Sequence, residues 1–303
     1  MLKRQSAERS MEMNENNKIA VYIPAYNSAA FISAVRIPKG VTCVVMDNHS
    51  EDGTAEAAEK RGFLVVRNDI TVPRVENWLR CVRHFQSSDF DWMKWLFTGD
   101  ELYENLAEEI LRIGSAYPDA GMIIFRYDAF RNGQQYGTWQ SLYPGTTAVD
   151  STKAVRDYAL HGNIFGSPIG ICLRRGVSIP EMDVIKKYRW AADAHLAMLT
   201  ARNTTVVFSE DCIGAFHYDQ RKHYSTEADS FNSHYEEMDS RILALAFCRE
   251  NGMDEAQYAT SREAIQREYE EKIFYRAFVG RLCFRKILWC AKMYAKKLLG
   301  HSM

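Results

Sequence analysis

The chain has 303 residues, of which 47% are hydrophobic and 25% are charged, and its formal net charge at pH 7 is -1. This length and composition are typical of a globular protein with one large domain, with or without a sizeable extension. A net charge so close to zero gives no indication of nucleic-acid binding. The seven cysteines include no C-x-x-C pair, which favours reduced thiols in a cytoplasmic protein over a disulfide framework or a zinc site.

The first 18 residues are polar and charged and contain no apolar core. We therefore expect a flexible tail there, and neither a signal peptide nor a membrane anchor. No stretch of the sequence reaches the roughly 18 uninterrupted apolar residues that a membrane span requires. The cytoplasm is the expected location.

In the first 125 residues, short β-rich runs alternate with segments whose apolar residues have helical spacing. The predicted strands are residues 19–23, 41–46, 63–66, 92–97 and 121–125. The predicted helices are residues 55–61, 72–85 and 102–115. Strands that alternate with helices predict an α/β fold with a parallel, helix-covered sheet.

From Tyr127 to Asp150 the sequence is rich in Gly, Gln, Tyr and Thr and has little periodicity, so we expect loops over the edge of the sheet. Further helices are predicted at residues 151–161 and 184–201, and further strands at residues 169–173 and 204–208. From residue 230 onward the sequence is predicted to be helical, with a break at Asn251-Gly252 and a second helix over 254–299.

Two adjacent acids, Asp100 and Glu101, follow the predicted strand 92–97. Open α/β sheets bind their ligands at the edge where strands end. Neighbouring carboxylates repel each other unless a cation, water or a proton separates them. A divalent metal with a phosphorylated ligand is the simplest explanation. The alternative is a helix N-terminus that carries acids because they suit the helix dipole.

Two common nucleotide-binding signatures are absent from the sequence. It contains no G-x-x-x-x-G-K-[ST] phosphate loop and no G-x-G-x-x-G after a strand. P-loop ATPases and NAD-dependent dehydrogenases are thereby disfavoured. A phosphorylated ligand would be held by a metal and by loops instead.

Three motifs carry a family resemblance. They are Ile23-Pro-Ala-Tyr-Asn27, the run VVMDNHSEDGT from Val44 to Thr54, and the Asp100-Glu101 pair. Their order and separation resemble those of family 2 glycosyltransferases, with the strand end I-P-x-Y-N, the loop V-V-D-D-x-S-x-D-G-T and a DxD-type metal site. The resemblance runs from about residue 19 to 225. It implies the GT-A fold, a mostly parallel Rossmann-like sheet with helices on both faces, followed here by a helical C-terminal extension.

The resemblance implies that the first two motifs hold the nucleotide of a sugar donor. Asp47 would accept a hydrogen bond from the imide N–H of uracil or thymine, because an ionised carboxylate is only an acceptor. An ordinary turn carboxylate is the alternative. Pro24, Ala25 and Tyr26 would form the wall of the pocket, and Asn27 is either a contact or a structural cap.

Further donor contacts are implied by the same resemblance. Asn77 and Arg80 lie where the family has a helix beneath the sugar nucleotide, so they are candidates to contact the pyrophosphate or the sugar, with surface ion pairs as the alternative. Gly99, within the acidic motif, is assigned to the same site. The stretch 216–225 resembles the family's Y-R-x-H-x-x-S, and Arg221 in it would reach the diphosphate.

The metal implied is Mn²⁺ or Mg²⁺. Asp100 would be a direct ligand, Glu101 would bind through water or brace a loop, and His223 would approach from the late loop, with His217 as its rival. Thr98 stands where the family has its first acid, so the protein supplies few carboxylate oxygens to the metal ion. A hard cation completed by phosphate and water oxygens suits such a site.

Asp193 is the candidate general base. The run from Trp190 to Met198 resembles the family's base-carrying helix, which normally reads E-D, and this chain has Ala192 in place of the Glu. An inverting transfer requires one base beside the acceptor hydroxyl. His195 lies on a different helix face and is interpreted as structural. The loop 162–168 resembles the part of the family that lies against the acceptor.

The segment 272–303 contains eight Lys or Arg and no acid. Its apolar and basic residues predict a basic amphipathic helix that would lie on the inner face of an anionic membrane. The alternative is a helix that packs on the catalytic domain and exposes its basic face to solvent.

These expectations divide the chain into a tail (1–18), a GT-A catalytic domain (19–228) and a helical extension (229–303). Within the catalytic domain, residues 19–125 would bind the nucleotide sugar and residues 126–228 the acceptor. The function implied is transfer from a UDP- or dTDP-sugar to a hydroxyl of a glycan or a lipid-linked acceptor, in bacterial capsule, lipopolysaccharide or exopolysaccharide synthesis. A sugar-nucleotide nucleotidyltransferase and an inactive nucleotide- or glycan-binding protein are the alternatives, and a homo-oligomer is compatible with each.

Overall fold

The computed structural model describes residues 18–218 and 231–279, with side chains up to residue 272. The strands within them are β1 (Ile19–Ala25), β2 (Thr42–Asp47), β3 (Leu64–Arg67), β4 (Trp92–Trp95), β5 (Glu101–Leu102), β6 (Ala120–Arg131), β7 (Gln134–Trp139), β8 (Thr147–Val149), β9 (Ile171–Arg174) and β10 (Thr205–His217). The helices are α1 (Ala29–Ala34), α2 (Thr54–Lys60), α3 (Arg74–Gln86), α4 (Leu106–Ala116), α5 (Ser151–His161), α6 (Ala192–Ala201), α7 (Phe231–Glu250) and α8 (Glu255–Val279).

One sheet organises the described residues. Its strand order is β3-β2-β1-β4-β9-β6-β10-β5, with β7 beside β6 and β8 beside β10. The first four strands are all parallel, so their carboxyl ends meet at one edge. In this register Ala25 lies opposite Asp47, and Asp47 lies opposite Arg67. The parallel, Rossmann-like half predicted from the sequence is confirmed.

The sheet is buried on both faces because helices cover each side. One apolar cluster includes Trp78, Leu79 and Val82 of α3. The other includes Ile110 and Ile113 of α4. Each fully buried side chain of this size contributes roughly 1.5–3 kcal/mol. The apolar residues of β1 divide between the two clusters because successive residues of a strand point to opposite faces of the sheet.

The second half of the sheet is mixed. β9 is antiparallel to both β4 and β6, whereas β10 is parallel to β6. The prediction of a helix starting at residue 102 was wrong, because Glu101–Leu102 pair with β10 as β5 and α4 begins only at Leu106. Glu101 and Leu102 form a strand because β10 has an edge with which they can pair. The local sequence pattern around them contains no information about that edge.

The prediction of loops over residues 127–150 was also wrong in part. β6 continues to Arg131 and returns as β7 through a hairpin. Asn132 and Gly133 at its turn have φ values of 50° and 70°. Asn-Gly with both residues at positive φ is the preferred sequence of a two-residue hairpin turn. The signal was therefore present in the sequence.

The predicted helix 184–201 is interrupted. A 3₁₀ helix spans Met182–Lys187, the next four residues are not helical, and α6 starts at Ala192. Similarly, the predicted strand 169–173 opens with a 3₁₀ turn at Pro168–Gly170 before β9. Both departures lie at the edge of the sheet where the candidate site is found.

α7 and α8 form a pair that packs on α5. Arg241 of α7 is almost completely buried, and its guanidinium donates to the carbonyls of Ala159 and Leu160 at 2.8 and 2.7 Å. These carbonyls belong to the last turn of α5, where they have no partner within that helix. None of the helices in the described ranges is long and apolar enough to cross a bilayer.

Candidate active site

The loops after β1 and β2 are joined by hydrogen bonds. The backbone N–H groups of Asn27 and Ser28 donate to the hydroxyls of Ser50 and Thr54 at 2.9 and 2.8 Å. The Asn27 side chain accepts from the N–H of Glu51 at 3.1 Å. Asn27 therefore has the structural role that the sequence left open. The two loops form one rigid unit at the edge of the parallel strands.

Asp47 ends β2 and is completely buried. Its Oδ1 accepts from the N–H of Ser50 at 3.2 Å. Its Oδ2 lies 3.5 Å from Nε of Arg67 but accepts no hydrogen bond within the described residues. Buried polar atoms without a hydrogen bond are rare and require an explanation, such as an absent ligand. A nucleotide base whose N–H donates to Oδ2 would supply the missing hydrogen bond.

The remaining residues of the first motif have unequal exposure. Pro24 and Ala25 are the last residues of β1, and Ala25 is buried. Tyr26 follows them and is 54% exposed. An exposed aromatic ring next to a rigid loop is suitable for stacking on a base. The pocket wall of Pro24, Ala25 and Tyr26 stays a prediction.

Asn77 and Arg80 of α3 belong to a buried amide network. Asn68 donates to the side-chain oxygens of Asn48 and Asn77, each at 2.9 Å, and Arg80 donates to Asn68 at 2.8 Å. The Asn77 amide also donates to the carbonyl of Met46 at 3.2 Å. The network ties α3 to the ends of β2 and β3. The predicted contacts of Asn77 and Arg80 with a donor remain untested.

The acidic motif forms a tight turn after β4. The N–H of Asp100 donates to the carbonyl of Phe97 at 3.0 Å, and Gly99 has a φ of 97°, which only glycine adopts readily. Asp100 is 3% exposed. The hydroxyls of Ser28 and Thr98 are 3.5 Å apart. The acidic turn therefore adjoins the loops after β1 and β2.

Asp100 and Asp193 both lie within electrostatic range of Tyr127 of β6. Burial, with added repulsion from these two carboxylates, raises the pKa of Tyr127 well above its usual value. The Tyr127 hydroxyl accepts from the N–H of Ser167 at 3.0 Å, and its ring stacks on Trp139 at 5.2 Å. Tyr127 was not among the predicted site residues. Its role depends on a packing arrangement that the sequence does not show.

Asp193 lies in the first turn of α6. It is the one charged residue among the ten that line a small, mostly apolar cavity. Trp78, Trp95 and Phe97 form the aromatic side of this cavity. A carboxylate acts as a general base when an acceptor hydroxyl lies within hydrogen-bond reach of it.

The pairing of β5 with β10 brings Glu101 within 3.8 Å of His217. The Glu101 side chain is half exposed, and the His217 ring stacks on Phe130 at 4.9 Å. The described residues contain no cluster of three or more potential metal ligands. Asp100 and Glu101 fit a hard cation only if phosphate and water supply most of its oxygens. Arg221 and His223 lie outside the described residues.

The strand order and the acidic turn after β4 define the GT-A glycosyltransferase fold, as the resemblance implied. Neither a protein-family profile nor a curated protein sequence matches this chain. The chain is similar in structure to residues 1–349 of S. aureus TarS, a GT-A glycosyltransferase, with a TM-score of 0.59 and 17% identity over 89% of this chain and 76% of that one.

Two further TarS structures hold ligands. The complex with UDP has a TM-score of 0.60 and 16% identity, covering 90% of this chain and 78% of that one. The complex with UDP-GlcNAc has a TM-score of 0.56 and 18% identity, covering 89% and 77%. At such identities the likeness establishes the fold.

Proposed function

We propose that this chain is a metal-assisted glycosyltransferase that moves a sugar from a UDP- or dTDP-sugar to a hydroxyl of a glycan or lipid-linked acceptor. The observation that carries the proposal is the pocket that Asp193 shares with Phe97, the residue whose carbonyl accepts from the N–H of Asp100 in the acidic turn. The acidic turn in turn adjoins the loops that hold Asp47. The position of the two acids at the ligand-binding edge of the sheet matches a division of labour between metal ligand and base.

The donor site is proposed around Asp47. Its buried Oδ2, which accepts no hydrogen bond from the described residues, would accept from the imide N–H of uracil or thymine. Guanine also has such an N–H, but its larger ring requires a wider pocket. The TarS complexes with UDP and UDP-GlcNAc support a uridine donor by similarity of fold.

The metal site is proposed at Asp100 and Glu101, with His217 as the described imidazole nearest to them. When bound there, Mn²⁺ or Mg²⁺ would neutralise the charge that develops on the departing diphosphate. Asp100 is buried and held by the turn at Gly99, so its carboxylate needs little reorganisation. Thr98 supplies a hydroxyl where the family has an acid, so the cation would depend on the donor's own phosphate oxygens.

The proposed reaction is a single displacement. The acceptor hydroxyl attacks the anomeric carbon from the face opposite the diphosphate, so the new C–O bond forms as the bond to the diphosphate oxygen breaks. Asp193 takes the hydroxyl proton, and the diphosphate leaves with the bonding electrons. Proton transfer to a positioned base contributes roughly 10²–10⁴-fold in rate. The configuration at the anomeric carbon is inverted.

Other parts of the proposal rest on the sequence. Arg221 would contact the diphosphate and His223 the metal, and the segment 272–303 would bind an anionic membrane surface. Arg221, His223 and residues 280–303 lie outside the described ranges. The division into nucleotide-sugar half, acceptor half and helical extension is likewise proposed.

A thermal-shift panel tests the proposed donor. UDP, UDP-GlcNAc and a dTDP-sugar are compared with GDP-mannose, each with and without Mn²⁺. A donor at a hundredfold excess over Kd should stabilise the protein by about 2.7 kcal/mol. Stabilisation by UDP compounds that requires Mn²⁺ is the expected result. No stabilisation by any nucleotide, or an equal effect of GDP-mannose, would contradict the proposed donor site.

A second assay distinguishes the proposed glycosyltransferase from the alternative enzyme, a nucleotidyltransferase. Release of pyrophosphate from UTP and a sugar 1-phosphate would identify a nucleotidyltransferase. Release of UDP from a UDP-sugar would identify a glycosyltransferase. Binding of UDP without either reaction would indicate a binding protein.

A further inference from the structure

The backbone just before Asp193 is held by a carboxylate from the C-terminal helical pair. The N–H groups of Arg189, Trp190 and Ala191 all donate to Oε2 of Glu236, at 2.9, 2.5 and 3.0 Å. Glu236 lies in the first half of α7. Three consecutive peptide groups are therefore fixed by one oxygen, two residues before the proposed base.

α6 lacks a cap of its own. Ala191 occupies the N-cap position, and no side chain there accepts from the first turn. The first N–H groups of a helix have no partner within that helix and must find one elsewhere. A negative charge at this end also interacts favourably with the helix dipole. Glu236 supplies this charge from a distant part of the chain and accepts from the N–H of the N-cap residue, Ala191. Within the first turn, the N–H of Ala194 donates to Oδ1 of Asp193 itself at 2.9 Å.

The same short segment is also tied to the donor half. A guanidinium nitrogen of Arg74, at the start of α3, donates to the carbonyl of Arg189. The Arg74 guanidinium lies 4.7 Å from the ring centre of Trp78, which lines the cavity beside Asp193. The peptide groups of residues 189–191 are thus held from α3 on one side and from α7 on the other.

Additional contacts of α7 flank Asp193. The Tyr188 hydroxyl donates to Asp239 at 2.7 Å, and Nδ1 of His195 lies 2.7 Å from the hydroxyl of Ser240. The Tyr188 and His195 rings lie 4.6 Å apart. α7 therefore contacts the chain before and after the proposed base. This explains why the predicted helix 184–201 is broken, since the break is the segment that Glu236 holds.

We infer that Glu236 is a positioning residue for Asp193, so that the C-terminal helical pair is part of the catalytic unit. The inference rests on the proposed function, because it takes Asp193 as the base. Glu236 does not touch substrate. It fixes the entry of α6, and through it the place and direction of the Asp193 carboxylate at the sheet edge. A misplacement of about 1 Å can cost about a hundredfold in rate.

The test uses three variants of the full chain. E236Q keeps the shape of the side chain but removes its charge, and E236D keeps the charge on a shorter side chain. E237Q is the matched control, because Glu237 is the next residue on α7 and accepts instead from the Tyr269 hydroxyl at 3.3 Å. Turnover is measured as UDP release from UDP-GlcNAc with water as the acceptor, and UDP affinity is measured by calorimetry with Mn²⁺.

The expected result is a split between turnover and binding. E236Q should lower kcat by about 10- to 100-fold with UDP affinity unchanged, and E236D should recover part of that loss. E237Q should match the wild type. A kcat for E236Q equal to that of E237Q would overturn the inference, and so would an equal loss of kcat and UDP affinity, which indicates a general structural role.

A second measurement separates this inference from the proposed function. If the wild type releases no UDP from any donor, the proposed function fails. Amide hydrogen exchange over residues 189–195 then tests whether Glu236 holds this segment. Faster exchange in E236Q than in E237Q is expected because a neutral amide oxygen accepts the three N–H groups more weakly than a carboxylate does. Equal exchange in the two variants would overturn the positioning role of Glu236.

Discussion

The ammonium group of Lys94 donates to the carbonyl of Ile169 at 2.5 Å, joining β4 to the 3₁₀ turn that precedes β9. Lys94 is fully buried on β4, and its other two donors reach the carbonyls of Trp95 and Pro168 at 2.9 and 3.2 Å. All three N–H donors are thereby used. Burial lowers the pKa of Lys94 to about 8. This one side chain ties the strand before the acidic turn to the 3₁₀ turn at Pro168–Gly170.

Replacing Lys94 with Met should reduce the free energy of unfolding by about 1–3 kcal/mol, because buried carbonyls would lose their donor. The gain from removing a buried charge offsets only part of this cost. Urea unfolding at pH 7 provides the measurement. K186M is the control, since the Lys186 ammonium forms its ion pairs at the surface and should contribute little to stability. Equal stability of K94M and wild type would show that the carbonyls find other donors.

Replacing Asp47 with Asn should weaken UDP binding by about 10- to 100-fold, which corresponds to one buried acceptor lost to the base. The amide oxygen can still accept from Ser50, whereas the amide nitrogen cannot accept from an imide N–H. Calorimetry with UDP and with GDP measures both affinity and base preference. D69N, an exposed neighbour, should leave both unchanged. Normal UDP affinity in D47N would show that the uracil ring binds elsewhere.

Replacing Asp100 with Asn should remove the Mn²⁺-dependent part of UDP affinity, by on the order of 10-fold or more, because a neutral amide is a poor ligand for a hard cation. Binding measured without metal should change little. The exposed Asp89 provides the control variant D89N. The metal assignment would be wrong if Mn²⁺ enhanced UDP binding equally in D100N and wild type.

Replacing Asp193 with Asn should preserve UDP binding and reduce kcat by about 10²–10⁴-fold, since the amide cannot take the acceptor proton. Asp183 lies ten residues earlier and makes exposed ion pairs with Arg83 and Lys186, so D183N is a suitable control. Initial rates of UDP release and UDP titrations supply the two readouts. Full turnover by D193N would move the base to another residue.

His195 should make the fold less stable in mild acid. Burial lowers the pKa of His195 to about 4, below the value of about 6.5 in the unfolded chain. Between these values the unfolded chain binds a proton that the folded chain does not, so stability falls as the pH decreases from 6.5 towards 4. The maximum loss is about 3 kcal/mol.

Urea unfolding between pH 4.5 and 7 measures this loss. The variant H195Q should show a shallower dependence on pH than the wild type, because glutamine does not titrate. The control H161Q removes an exposed histidine and should keep the wild-type dependence. Identical profiles for H195Q and wild type would assign the acid sensitivity to carboxylates instead.

The sequence alone predicted the parts of this protein that depend on local pattern. β1, β2 and β3 are short apolar runs that end in turn residues, and their polar ends meet at one edge wherever such strands are parallel. The positions of Asp47 and Asp100 at that edge followed directly. The prediction of loops over residues 127–150 missed the hairpin at Asn132-Gly133, although its turn residues carry a local signal.

The tertiary structure decided what depends on partners distant in the chain. β5 exists because β10 offers it an edge, and α6 starts late because Glu236 holds the residues before it. Tyr127 lies within electrostatic range of both Asp100 and Asp193, which no local sequence pattern indicates. Hydrogen bonds and charges act over a few ångströms in space, whatever the separation in sequence. The sequence therefore determined the approximate bounds of the strands and helices and the residues at their ends. The packing determined which of these residues lie near one another.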